Sequence, residues 1–112
     1  MTHNMRLWDD AFKTIKAKTK TIEMRLNDEK RQTIRTNDLI VFENVLSKEK
    51  LSAMVVETQF YKDFEELYSH YHKIEIGYGQ DEQVNPKDME RYYSKEEITK
   101  FGVLAIRIKV IE

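Results

Sequence analysis

Apolar and polar residues alternate with a period of two in several stretches of this chain and recur at three- and four-residue spacing in others. The order of the two rhythms predicts the fold. Residues 3–8 form a short strand that ends at Asp9-Asp10. Either aspartate can cap a helix running to about Lys16, with Ala11, Phe12 and Ile15 on its apolar face. Residues 20–26 alternate most clearly: Ile22, Met24 and Leu26 make one face of a strand, and Thr21, Glu23 and Arg25 make the other. Asn27-Asp28-Glu29-Lys30 reads as a turn, and Asn37-Asp38 as a tight lead into the next strand. That strand, residues 39–43, is apolar on both faces through Leu39, Ile40, Val41 and Phe42, as a central strand would be.

Residues 50–60 make a long strand with β-formers at Val55, Val56 and Thr58. Asp63-Phe64-Glu65-Glu66 is a capping box that opens a helix to about residue 72, striped by Phe64, Leu67, Tyr68 and Tyr71. Residues 77–84 begin Gly77-Tyr78-Gly79 and read as a mobile loop. Asn85-Pro86 then caps a short helix carrying Met89 to Tyr93. Ser94-Lys95-Glu96-Glu97 is a second capping box, and Gly102 ends its helix. Residues 103–111 close the chain as a strand, with Leu104, Ile106, Ile108 and Val110 buried and Arg107 and Lys109 exposed. Helices do not alternate regularly with strands, which argues against a doubly wound parallel sheet. The expectation is an α+β domain spanning residues 1–112: a small mixed β-barrel with flanking helices.

Composition narrows the class. At 112 residues there is room for one domain; 40% of positions are apolar and 35% charged. The absence of cysteine excludes disulfides and Cys-ligated metals and agrees with a reducing cytoplasm. No run approaches the roughly 18 apolar residues of a membrane span, and the first residues lack the apolar core of a signal peptide. A net charge of −1 argues against tight non-specific nucleic-acid binding. Its distribution is uneven, however. Residues 1–35 carry nine Lys/Arg against five Asp/Glu, and residues 36–112 carry ten against fifteen. The basic segment is either a solvated helix and turn or a local site for phosphate or a nucleotide.

Candidate chemistry centres on the polar face of the 20–26 strand. Arg25 offers a rigid donor fork and Lys20 a compact charge, both suited to phosphate. Glu23, two residues from Arg25, can orient the guanidinium or accept from a base amino group. The alternative is a surface ion pair worth at most about 1 kcal/mol. Trp8, Tyr61, Tyr78, Tyr92 and Tyr93 are the candidates for stacking on bases. Tyr78 leads because glycines flank it, whereas Tyr68, Tyr71 and Tyr92 are better placed as core tyrosines. His70 and His72, at i and i+2 on a helix, point to different faces, and nothing calls for a metal or a cofactor. Phosphate-binding glycine loops, dinucleotide fingerprints and G-x-S-x-G are all missing.

The stretch Lys18-Thr19-Lys20-Thr21-Ile22-Glu23-Met24-Arg25 resembles the G-x-K-x-x-E-x-R signature of ASCH domains, a branch of the PUA-like superfamily. Lys20, Glu23 and Arg25 match its charged positions, and Lys18 stands where glycine is usual. If that site needs a positive φ, lysine carries strain there or the turn differs. The resemblance extends through Met5-Arg6-Leu7, through Thr36-Asn37-Asp38-Leu39-Ile40-Val41-Phe42 (Asn37 for glycine) and through Phe64-Glu65-Glu66-Leu67. It ends with Tyr92-Tyr93-Ser94-Lys95-Glu96-Glu97 and Phe101-Gly102-Val103, so nearly the whole chain is similar to short bacterial single-domain ASCH proteins.

The resemblance implies a PUA-like barrel with a cleft beside the signature strand that binds RNA or a modified nucleoside or nucleotide. The binding candidates there are Lys18, Lys20, Thr21, Glu23, Arg25 and Tyr78. One small bacterial subgroup is similar in size and removes the acyl group from N4-acetylcytidine with a lysine, a threonine and a glutamate, without a metal. For that alternative the catalytic candidates are Lys20 and Glu23, with Glu75, Asp81 or Glu82 as a distant acid. Glu23 falls where that subgroup has its threonine. Family members that act as regulators imply a further alternative, a protein-interaction module.

Overall fold

The computed structural model of the chain describes residues 1–111. Five strands form one sheet: β1 (Thr2–Leu7), β2 (Ile22–Leu26), β3 (Leu39–Asn44), β4 (Lys50–Tyr61) and β5 (Val103–Val110). Three helices flank it, α1 (Asp9–Lys16), α2 (Phe64–His70) and α3 (Lys95–Phe101), with 3-10 turns at Arg31–Thr33 and Pro86–Arg91. The strand order is β1-β3-β4-β5-β2, with β1 and β3 parallel and every other pair antiparallel. The sheet curls into a half-barrel, so the expected small mixed barrel is present with one seam, between the edge strands β1 and β2, free of backbone pairing among the described residues. Among those residues no helix is long and apolar enough to cross a membrane.

Two cores sit on opposite faces of the sheet. The interior core packs Phe12 and Ile15 of α1 against Ile40, Phe42, Val55 and Ile106, each at most 1% exposed. The other core places Ile22, Met24, Val103 and Ala105 under Phe64 and Leu67 of α2, with Met89 of the 3-10 turn. Burying each such large side chain contributes roughly 1.5–3 kcal/mol, before ordering entropy is charged against it.

This layering keeps the expected inner face of β5 and changes the other faces. β5 is buried on both faces at its start: Leu104 and Ile106 look inward, and Val103 and Ala105 lie in the α2-covered core. β3 instead alternates, with Ile40, Phe42 and Asn44 buried and Leu39, Val41 and Glu43 half-buried, because no helix covers its outer side. For β2 the consequence matters most. Glu23 lies opposite Ile106 and Arg25 opposite Leu104, so the charged face of β2 is the one turned toward the interior core. Its apolar face is the one α2 covers.

Local signals fix the element ends. Trp8, not either aspartate, is the N-cap of α1; Asp9 and Asp10 fall inside the first turn, where the helix dipole favours acids. Asp9 accepts from Asn44 Nδ2 at 2.9 Å and ties the helix to β3. Asp63 caps α2 by accepting from the Glu66 N–H, and α2 stops at His70 because Tyr71 is already extended. The Ser94–Glu97 capping box of α3 is complete. Gly102 ends α3 at φ +71, where a Cβ would sit 2.4 Å from the Phe60 ring.

Lys18 and Asn37, the two residues standing at glycine positions of the resemblance, adopt φ of +69 and +75. Asparagine tolerates this left-handed conformation, whereas a long L side chain such as lysine is disfavoured in it. Lys18→Gly is therefore expected to raise unfolding free energy by about 0.5–1 kcal/mol, and Asn37→Gly to change it by no more than about 0.3 kcal/mol. Denaturant midpoints of the two variants check this; equal effects would show that the Lys18 backbone carries no strain.

Candidate binding cleft

β2 begins at Ile22, two residues later than the alternation predicted, because the N–H groups of Thr21 and Ile22 both turn to the carbonyl oxygen of Glu75. Lys20 is thereby left on the bend before the strand, from which its ammonium reaches back to Glu23. The Glu23 carboxylate is 3% exposed and accepts from every side. Its Oε1 takes the Met24 N–H at 3.0 Å and Lys20 Nζ at 3.0 Å, and its Oε2 takes Arg25 Nε at 3.1 Å and Nη2 at 2.9 Å. Arg25 Nη2 also donates to the carbonyl oxygen of Arg6 at 3.0 Å, so a side chain of one edge strand spans the seam to the other.

The electrostatics follow from that geometry. Burial raises the Glu23 pKa, yet the Lys20 and Arg25 charges outweigh it and hold the carboxyl at about 2, against an ordinary 4.5. Burial also works against the Arg25 charge, and Glu23 reverses that and raises its pKa. A carboxylate that low stays ionised at neutral pH and acts as an acceptor and anchor, not as a proton shuttle. Two cations share one carboxylate, leaving one positive charge.

A cavity of about 300 Å³ opens beside these groups. Lys20, Glu23 and Arg25 line it together with Gly77, Tyr68 and Tyr78. Gly77 has φ +108, and a Cβ there would come within 3.1 Å of Lys20 Cδ, so glycine both permits the turn and leaves room for the lysine. The Tyr78 hydroxyl lies 3.0 Å from that of Tyr68, 2.7 Å from Asp88 Oδ2 and 3.1 Å from the Asn85 carbonyl oxygen. Burial raises the pKa of both phenols. Tyr78, the leading stacking candidate because of its flanking glycines, is held by these contacts as a wall of the cavity.

Of the six binding candidates, Lys20, Glu23, Arg25 and Tyr78 converge on the cavity; Lys18 and Thr21 are not among its lining residues. Glu82 alone of the three candidate acids lines it, its Oε1 accepting from the Gly79 N–H at 2.6 Å. Glu75 turns a carboxylate oxygen to Arg107 at 3.6 Å. Tyr92, taken as a core residue, is 46% exposed at the cavity with Arg91 5.8 Å from its ring centroid, and Trp8 is 60% exposed beside it. Tyr61 is buried and donates to the Tyr71 hydroxyl away from the cavity. Arg6, Asp88 and Arg91 also line it. They come from β1 and from the Pro86–Arg91 turn, which only the fold brings next to β2. Among the described residues no group of three His, Asp or Glu is arranged to hold a metal.

A curled mixed half-barrel with a charged cleft at its open seam is a PUA-like architecture. The chain belongs to the ASCH domain family, whose model matches residues 5–112. Among solved structures it is similar to hypothetical protein PH0355, with 30% identity over 99% of this chain and 100% of that one and a TM-score of 0.84. It is also similar to protein PF0455 from Pyrococcus furiosus, with 30% identity over 100% of this chain and 99% of the other and a TM-score of 0.78. The ASCH protein of Zymomonas mobilis shares the fold at 16% identity and a TM-score of 0.69, over 96% of this chain and 66% of its own. No curated protein matches the chain at a significant level.

The depressed Glu23 pKa sets a pH dependence. A folded value of about 2 below an unfolded 4.5 means that the stabilisation is complete above about pH 4.5 and is lost as pH falls toward 2. Asp38 acts in the same window: the His3 hydrogen bond at 2.8 Å and the Arg35 N–H hold it at about 2. Glu23→Gln separates the two. It is expected to lower stability at pH 7 by about 3 kcal/mol, with the gap to the parent closing toward pH 2. Denaturant unfolding across pH checks this, and a gap that does not vary with pH would remove Glu23 from the account.

Proposed function

We propose that the seam cleft binds RNA or a nucleotide derivative, holding an anionic group on Lys20 and Arg25 and stacking a base on the aromatic residues at its mouth. One observation carries the reading: Lys20, Glu23 and Arg25 converge in a concave cavity and do not lie flat on a solvated strand face. The cavity of about 300 Å³ is at the lower end of the range for small-ligand pockets, roughly 300–1,000 Å³. Trp8 and Tyr92 supply exposed ring faces, which single-stranded nucleic acids favour. Glu23 fixes the two cations, so neither has to be ordered when a ligand arrives.

The hydrolytic alternative draws no comparable support. It needs a nucleophile beside Lys20, and Thr21 is not among the residues lining the cavity.

Trp8 is the single tryptophan and lines the cleft, so its fluorescence reports occupancy directly. Titration with the four nucleoside 5′-monophosphates and with N4-acetylcytidine is expected to give saturable quenching by at least one of them. Lys20→Met should weaken that ligand about tenfold or more, since a hydrogen bond to a charged group contributes about 1.5–3 kcal/mol. Tyr92→Ala, exposed and neutral for folding, should cost about 1–3 kcal/mol of binding, read by calorimetry. Unchanged affinity in both variants would dismiss the cleft. Lys20-dependent release of acetate from N4-acetylcytidine would replace binding with hydrolysis.

A further inference from the structure

A second concavity, of about 500 Å³, adjoins the cleft at the seam and shares Arg6 and Arg25 with it. Its other cations are Lys30, Arg31 and Lys50, and Asn4, Met5 and Val41 add to its lining. Glu43 is its single carboxylate. In the sheet register Glu43 lies opposite both Arg6 and Lys50, yet among the described residues it forms an ion pair with neither. Arg6, Lys30 and Lys50 are all exposed, and among those residues none has a carboxylate within ion-pair distance. Arg25 and Arg31 are paired, with Glu23 at 2.9 Å (shared with Lys20) and with Asp28 at 2.9 Å. A chain of net charge −1 thus gathers five cations around one groove and leaves three of them unpaired. Like charges so placed repel, and a polyanion relieves that repulsion.

From this charge and from the shared residues we infer that the ligand is a polymer: a single-stranded RNA that seats a base in the cleft and runs its phosphates over the Arg6–Arg25 bridge into the groove, onto Lys30 and Lys50. This deepens the cleft reading and rests on it for the seated base. The two concavities differ in a way that fits one strand. The cleft is flanked by Trp8, Tyr68, Tyr78 and Tyr92, whereas the groove has no aromatic side chain among its lining residues. Bases need ring faces and phosphates need charge. Arg25 can serve both because it stands at the seam between β1 and β2.

The test compares a mixed-sequence eight-nucleotide single-stranded RNA with the nucleoside monophosphate that binds best, in the parent, in Lys20→Met and in a Lys30→Gln/Lys50→Gln double variant. Both lysines are exposed, so the double variant is expected to fold as the parent does. The octamer should bind at least tenfold more tightly than the mononucleotide. The double variant should erase that gain, leave mononucleotide affinity within twofold, and make the slope of log K against log salt shallower by about 0.7 for each phosphate that is no longer neutralised. An octamer no tighter than the mononucleotide, or a gain that survives the double variant, overturns the groove while leaving the cleft reading standing. Octamer binding that depends on Lys30 and Lys50 but not on Lys20, with no mononucleotide binding, supports the groove and overturns the cleft reading. Poly-glutamate binding as tightly as the RNA, with the same lysine dependence, overturns a nucleic-acid occupant in favour of an acidic protein.

Discussion

The buried carboxylate of Glu23 is the constraint on which the rest of the molecule turns. Left alone, an ionised group at that depth would cost several kcal/mol, and the two cations beside it offset that cost. Its donors are Lys20, Met24 and Arg25, all within three residues of it. The cluster is therefore local in sequence yet acts across the fold, because Arg25 also holds the Arg6 carbonyl of the opposite edge strand. An open sheet edge presents unpaired backbone groups that either need partners or invite other chains. Here a guanidinium anchored by a carboxylate substitutes for the strand pairing that the half-barrel lacks. The polar face of β2 can look toward an apolar interior only because that seam stays open to the cleft.

Gly77 supports the same arrangement from a distance. Its backbone turns where an L side chain is disfavoured, and the space left by its missing Cβ is taken up against the Lys20 stem. Glu75, two residues earlier, accepts from the N–H groups of Thr21 and Ile22 and so sets where β2 begins. The 72–79 segment thus fixes both the start of the signature strand and the path of its lysine. This explains why Lys20 stands outside the strand although the alternation of residues 20–26 includes it.

Much of this was legible in the chain, and the losses have physical causes. Strands and helices were visible because alternation and capping are local: Asp63, Asn85 and Ser94 cap as their neighbours foretell. The inner face of β5 was visible too, but its second buried face and the half-buried outer face of β3 were not, because burial of a second face depends on whether a helix from elsewhere covers it. α2 covers the start of β5 and leaves β3 bare. The charged triad was readable from spacing and from the family signature. Tyr92 was misread, since a tyrosine in a striped segment is core only if the stripe faces inward. Asp88 and Arg91 carried no signal, and Arg6 carried only its place in the family-like opening Met5-Arg6-Leu7, as their sequence neighbours say nothing of β2.

The order of strengths decides what the cleft is built to do. Glu23 at a pKa of about 2 has little proton affinity to offer at neutral pH, and the cations that hold it down are held in return. Such a cluster is costly as acid–base machinery and well suited to presenting fixed donors. Fixing them also removes the side-chain entropy that a lysine and an arginine would otherwise lose on capturing an anion. The single net positive charge of the triad is modest. A ligand with one anionic group would meet that charge alone, whereas a strand that continues past Arg25 would also meet Arg6, Lys30 and Lys50, which form no ion pair among the described residues. The seam that the missing strand pairing leaves open is the route by which this fold joins the aromatic wall to that charge.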